Sequence, residues 1–248
     1  MAKFIPILFS TPMVKAILEG RKTQTRRVVK FHGNRILKGE LWEDEIRKPS
    51  IEPIIHDGNS CFSLFDNMHI CPYGHPGDIL WVRESFAYTQ FAFDKSLIVG
   101  RNEYGVVGSE IYKADVGNDD WDGSWKPSIH MPKEACRIFL QVESIKVERL
   151  QDISEQDAIN EGIKYPVAKS KIDGFVHPVF RVSGNKNAVD FMPENWKALN
   201  GDDLKKHLPR AHFAELWCDI NGYESWQANP WVWVIQFKRI EKPSNFLQ

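Results

Sequence analysis

Cysteine is scarce, with four in 248 residues, which argues against a disulfide-stapled secreted module and for a reducing compartment. Long apolar runs are missing: no stretch approaches the roughly 20 residues that a helical membrane span needs. The opening "MAKFIPILFS" has neither a sustained apolar segment nor a small-residue cleavage site, so no secretory leader is expected and the cytoplasm is the expected location. No segment repeats at a fixed period and no tract is of low complexity, which sets aside repeat architectures. Excess charge is missing as well. The 32 Lys and Arg stand against 33 Asp and Glu, a net of −1, so indiscriminate coating of nucleic acid is not expected.

What is present is a core-forming composition, 42% hydrophobic and 12% aromatic, which suits one large domain. The near-zero total conceals an asymmetry. Residues 1–38 hold nine Lys or Arg and a single acid, Glu19, a local charge of +8, and "GELWEDEI" follows with four acids. Within "ILEGRKTQTRRVVK", five cations (Arg21, Lys22, Arg26, Arg27 and Lys30) lie within ten residues. A basic patch on a near-neutral body calls for an anionic ligand or partner at one place.

Pattern and punctuation predict the elements. "FIPILF" reads as a strand, and Thr11 with Pro12 as the cap and first residue of a helix that Gly20 ends. "KTQTRRVV" alternates as a strand, with Thr23, Thr25 and Arg27 on one face and Gln24 and Arg26 on the other. Strict alternation would turn Lys22 away from Thr25. A turn at Gly77-Asp78 opens the strand "ILWVRES", and residues 136–150 form a second long strand. "DISEQDAINEGI" predicts a short helix capped by Ser154 and stopped by Gly162. Residues 210–222 predict an amphipathic helix with Phe213, Leu216, Trp217 and Ile220 on its apolar face. "WVWVIQFKRI" predicts a half-buried strand, with Trp231 and Trp233 in the core. Three polar stretches, about 31–76, 90–135 and 164–209, are too long for ordinary connections and read as insertions around one core. The expected class is α+β, a small mixed β-barrel with short helices packed on it.

Other chemistry-bearing residues stand outside the basic cluster. In "LWVRES" the charged pair Arg83 and Glu84 either lines a cleft or pairs across the sheet. The loop "SWKPSIHMPKEACR" offers Trp125 to stack on a base and His130 as a polar contact; a Ser128–His130 nucleophilic pair is weakly signalled by spacing alone. Cys61, His69, Cys71 and His75 crowd fifteen residues, but without the closely spaced ligand pairs of a zinc site, so no metal is expected.

The octet "GRKTQTRR" matches the G-x-K-x-x-(E/T)-x-R signature at Gly20, Lys22, Thr25 and Arg27, and the chain here resembles the ASCH domains, which have the PUA-like barrel fold. "ILFSTPMVKAILEG", "GDILWVRES", "ISEQDAINEGI" and "NPWVWVIQF" are similar in wording and order to ASCH-like proteins of bacteriophages and prophages, over about two fifths of the chain. The resemblance implies a site for RNA, nucleotides or modified nucleosides. One small bacterial branch hydrolyses the acetyl amide of N4-acetylcytidine with a Lys, a Thr and a Glu. These map onto Lys22, Thr25 and Glu161, and Thr rather than Glu at position 25 leans toward that branch. The departure is size, because that branch is a minimal domain.

The chemistry is coherent from the residues themselves. A lysine desolvated among Arg21, Arg26 and Arg27 can act as a base on a threonine hydroxyl, and a glutamate can protonate the leaving amine. The expectation is a hydrolase of a modified nucleoside or nucleotide, free or in RNA, without cofactor or membrane partner. Two alternatives stay open: a non-catalytic module binding RNA or modified DNA, and a metal-independent ribonuclease. The candidate catalytic residues are Lys22, Thr25 and Glu161, and the candidate ligand contacts are Arg21, Arg26, Arg27, Arg83, Glu84, Trp125 and His130. The sequence leaves the oligomeric state open.

Overall fold

The computed structural model describes residues 2–30, 35–42, 50–57, 60–63, 70–88, 110–116, 123–164, 167–169, 176–178, 191–193 and 201–247. Its elements run β1 (Phe4–Leu8), α1 (Thr11–Leu18), β2 (Gln24–Val28), β3 (Arg35–Trp42), β4 (Ser50–Asp57), β5 (Ser60–Ser63), β6 (Ile79–Arg83), β7 (Phe86–Tyr88) and β8 (Glu110–Tyr112). After these come β9 (Phe139–Arg149), α2 (Glu155–Asn160), β10 (Val167–Lys169), β11 (Val176–Pro178), α3 (Gly201–Asn221), α4 (Tyr223–Gln227) and β12 (Trp231–Ile240). The fold is mixed α+β. Its largest sheet has the order β1-β6-β9-β12-β2, and no closed barrel is formed among the described residues. No helix among them is long and apolar enough to cross a membrane.

The chain divides into two compact units. The first comprises Met1–Gly20, Gly77–Val142 and Lys238–Gln248, and the second Arg21–Pro76 and Glu143–Phe237. In the first, β1 runs parallel to β6, pairing Ile7 with Val82, and β6 runs antiparallel to β9, pairing Leu80 with Leu140. Its core holds Ile79, Phe86, Met131, Cys136, Phe139 and Phe246. The Phe246 ring meets Phe139 and Phe4 edge-on, at centroid distances of 4.7 and 5.2 Å, the arrangement that aromatic quadrupoles favour. In the second unit, β12 pairs antiparallel with β2, setting Ile235 opposite Thr25 and Val234 opposite Arg26. Its core packs Leu150, Ile153 and Ala158 against Phe213, Ala214, Trp217 and Trp226, over Val232 and Val234 of β12.

Several boundaries and faces differ from expectation. The N-cap of α1 is Ser10, not Thr11, and Pro12 falls within the first turn, where a missing N–H costs no helical hydrogen bond. β9 begins at Phe139, three residues later than the apolar pattern starts. α3 is 21 residues long and contains Pro209, so the helix extends well before residue 210. Its buried face is also rotated. Leu216 and Ile220 are exposed, whereas His212 and Glu215 are buried. Nor is β12 half-buried: its first five residues are buried on both faces. That is what a strand between two hydrogen-bonded neighbours does when both its surfaces are covered.

The three long polar stretches carry secondary structure of their own. The first holds the antiparallel meander β3-β4-β5, the second contributes β8 as partner of β7, and the third holds the β10-β11 hairpin and the start of α3.

Candidate active site

The site is built where β2 meets the end of α2, within the second unit. Ser154 caps α2: its hydroxyl accepts the Asp157 N–H at 3.0 Å, fixing the start of a helix only six residues long. Gly162, at φ +85°, ends it in the left-handed conformation that costs glycine little. Three consecutive residues of the basic cluster then take three consecutive carbonyls there. The Thr23 N–H donates to Asn160 O at 2.8 Å, Lys22 Nζ to Glu161 O at 3.0 Å, and the Arg21 guanidinium to Gly162 O. These are carbonyls that a helix end leaves without internal partners, and cations suit them.

The side chains add a second layer. Lys22 Nζ donates to Glu161 Oε2 at 2.7 Å, and Arg26 Nη1 to Glu161 Oε1 at 3.2 Å. Arg26 also bonds Glu148 and lies 3.5 Å from Asp157 Oδ2. Lys146 closes the outer end on Glu148 Oε2 at 2.8 Å. Alternation explains the grouping: Lys22, Gln24 and Arg26 occupy one face of the β2 segment. Gln24 there accepts from its cross-strand partner Gln236 at 3.3 Å, and Ser144 donates to Gln236 at 2.6 Å. Asp157 and Glu161, four apart, share the matching face of α2.

Burial shapes the electrostatics. Lys22 is 3% exposed and Glu161 9%. Loss of water pulls the Lys22 pKa below its ordinary value. The Glu161 carboxylate opposes that shift, Arg27 and Arg26 add to it, and the net direction is down. Burial pushes Asp157 upward, but the Ser154 hydrogen bond with Lys146 and Arg26 outweighs it and holds the carboxyl below its ordinary value.

The structure therefore brings Lys22, Arg26 and Glu161 together across about 139 residues of chain, with Arg21 alongside on the backbone. Thr25 is buried at 1% exposure, paired with Ile235 in the sheet. By alternation its side chain projects to the face opposite Arg26, and the hydrogen bonds just described do not include its hydroxyl. Arg27 shares that opposite face, where burial lowers its pKa against the influence of Tyr73 and Glu161.

The remaining candidates belong to the first unit. Arg83 Nε donates to Met131 O at 3.1 Å and its guanidinium also reaches Ile129 O, pinning the loop that follows Pro127. Glu84 accepts a two-pronged bond from Arg137, at 2.9 and 3.1 Å; Arg137 also stacks 3.9 Å from the Tyr112 ring centroid and binds Asp115. Trp125 is half-buried and His130 exposed. In the second unit Cys71 and His75 are described, whereas His69 and the side chain of Cys61 lie outside the described residues. Sequence reasoning missed Glu148 and Asp157. The readable signal was Asp157 and Glu161 at helical spacing, facing Lys22 and Arg26 at strand spacing. No family model, curated protein or solved structure matches the chain.

Proposed function

We propose that the chain hydrolyses the acyl amide of a modified nucleoside or nucleotide of the N4-acylcytidine type, on an ASCH-like, PUA-type scaffold. The observation that carries this reading is the buried Lys22–Glu161 pair, 2.7 Å between Nζ and Oε2. Burial lowers the Lys22 pKa, which makes its amine a readier proton acceptor, and a carboxyl group in contact with it can pass that proton on. In the reaction, Lys22 takes a proton as an oxygen nucleophile adds to the acyl carbon. The C–N bond then breaks, and the departing exocyclic nitrogen receives the proton through Glu161. The face of β2 that carries Lys22 and Arg26 favours water over the Thr25 hydroxyl as that nucleophile.

Burial also selects among substrates. Lys22, Thr25, Arg26 and Glu161 are each at most 9% exposed, which favours a free nucleoside over a folded RNA. Lys22 and Arg26 have carboxylate partners of their own, which weakens the case for a phosphate-binding patch.

The test is turnover of N4-acetylcytidine followed chromatographically. Wild-type protein releases cytidine and acetate, and Lys22→Ala or Glu161→Gln lowers kcat by at least about a hundredfold, the scale for losing an essential proton-transfer group. A wild type that leaves acylated nucleosides intact, yet binds RNA with steep salt dependence, hands the chain to the binding-module reading.

A further inference from the structure

We infer that Arg26 is a positioning residue for Glu161, an inference that rests on the hydrolase reading above. Arg26 is not among the residues that carry the likeness to ASCH domains; its role comes from its surroundings. Its side chain is fully buried and its terminal nitrogens face carboxylates. Each oxygen of Glu161 is assigned to a different cation, Oε1 to Arg26 at 3.2 Å and Oε2 to Lys22 at 2.7 Å. A carboxylate held by two fixed donors on opposite oxygens loses its rotation about the terminal bond. Arg26 is itself fixed on three sides. Its Nη2 donates to Glu148 and lies 3.5 Å from Asp157 Oδ2, and the Phe213 ring of α3 lies 5.8 Å from its guanidinium carbon.

The whole is an alternating chain of charge, Lys22–Glu161–Arg26–Glu148–Lys146, running from a buried amine to one that is half exposed. A planar fork with several donors is required at its centre, because one guanidinium serves three carboxylates. Arg26 thus determines which oxygen of Glu161 meets Lys22, and from what angle, without contacting reacting atoms.

A double-substitution cycle on N4-acetylcytidine turnover tests this. Arg26→Gln lowers kcat by about ten- to a hundredfold while KM stays within about twofold, since the group acts on the chemical step alone. In a Glu161→Gln background the same change has no further effect on kcat, because the residue it positions is already lost. Glu148→Gln, nearer the surface, gives a smaller loss of the same kind and guards against misfolding of the Arg26 variant. Both variants shift the pH profile of kcat/KM. Losses that multiply in the double variant, or a pH profile unmoved by both, overturn the inference and leave the hydrolase intact. No turnover by wild type overturns both.

Discussion

At position 22 a lysine with 3% of its surface exposed shares one carboxylate with a buried arginine. Removing only the amine, as in Lys22→Met, leaves Glu161 buried with a single cationic partner. Breaking a buried pair costs about 3–5 kcal/mol, so the urea midpoint should fall markedly. Lys22→Met combined with Glu161→Leu should regain much of that stability and none of the turnover; a double variant no more stable than the single one would show that the pair does not interact as the distance implies. Thr25→Val asks a different question. The water mechanism expects kcat within about threefold of wild type, and a loss of a hundredfold or more would make the hydroxyl the nucleophile. At this scale the basic octet was legible in part. Lys22 and Glu161 were named together only through the resemblance to ASCH domains. The partners of Arg26 were not, because Glu148 and Asp157 belong to segments more than 120 residues away, and nothing local in either segment records that distance.

The element that matters most is α2, six residues capped by one serine. Helices this short are unstable alone and persist through capping and packing. Ser154→Ala should destabilise the protein by about 1 kcal/mol in urea unfolding. It should also lower kcat more than it raises KM, since Glu161 stands directly after the helix; an unchanged kcat would mean that the carbonyl contacts of residues 21–23 suffice to hold it. α2 was readable because its cap, its length and its stop glycine are all local signals. The face of α3 was not: Leu216 and Ile220 fit an apolar stripe, yet tertiary packing buried His212 and Glu215 instead. Those two are joined at 3.1 Å between Nδ1 and Oε2, a contact that offsets part of the cost of burying polar groups and that hydropathy does not register. Barrel closure was likewise an expectation about long-range pairing, and the described residues give an open five-stranded order.

Across the molecule, buried titratable groups set how stability follows pH. Burial pushes the Cys136 thiol from 9.0 up to about 11, so its contribution is complete below pH 9.0 and is lost as pH rises toward 11. Cys71 behaves alike, again reaching about 11. Lys22 has the opposite sign, because a lowered lysine pKa lets stability recover as pH climbs toward 10.5. The prediction is therefore a difference: Cys136→Ser should flatten the alkaline fall in unfolding free energy relative to wild type, and equal slopes would mean that the thiol does not titrate differently in the folded state. Glu84 adds an acidic counterpart. Burial raises its pKa despite Arg137, so its share is full below the ordinary carboxylate range and lost as pH rises through the folded value. The ladder of contacts from residues 21–23 to residues 160–162 also has a consequence in time. On the ribosome, at about 5–20 residues per second, Lys22 is made roughly 7–28 seconds before Glu161. Throughout that interval Lys22 lacks the carboxylate that meets it in the folded protein, so this buried pairing forms only late in synthesis.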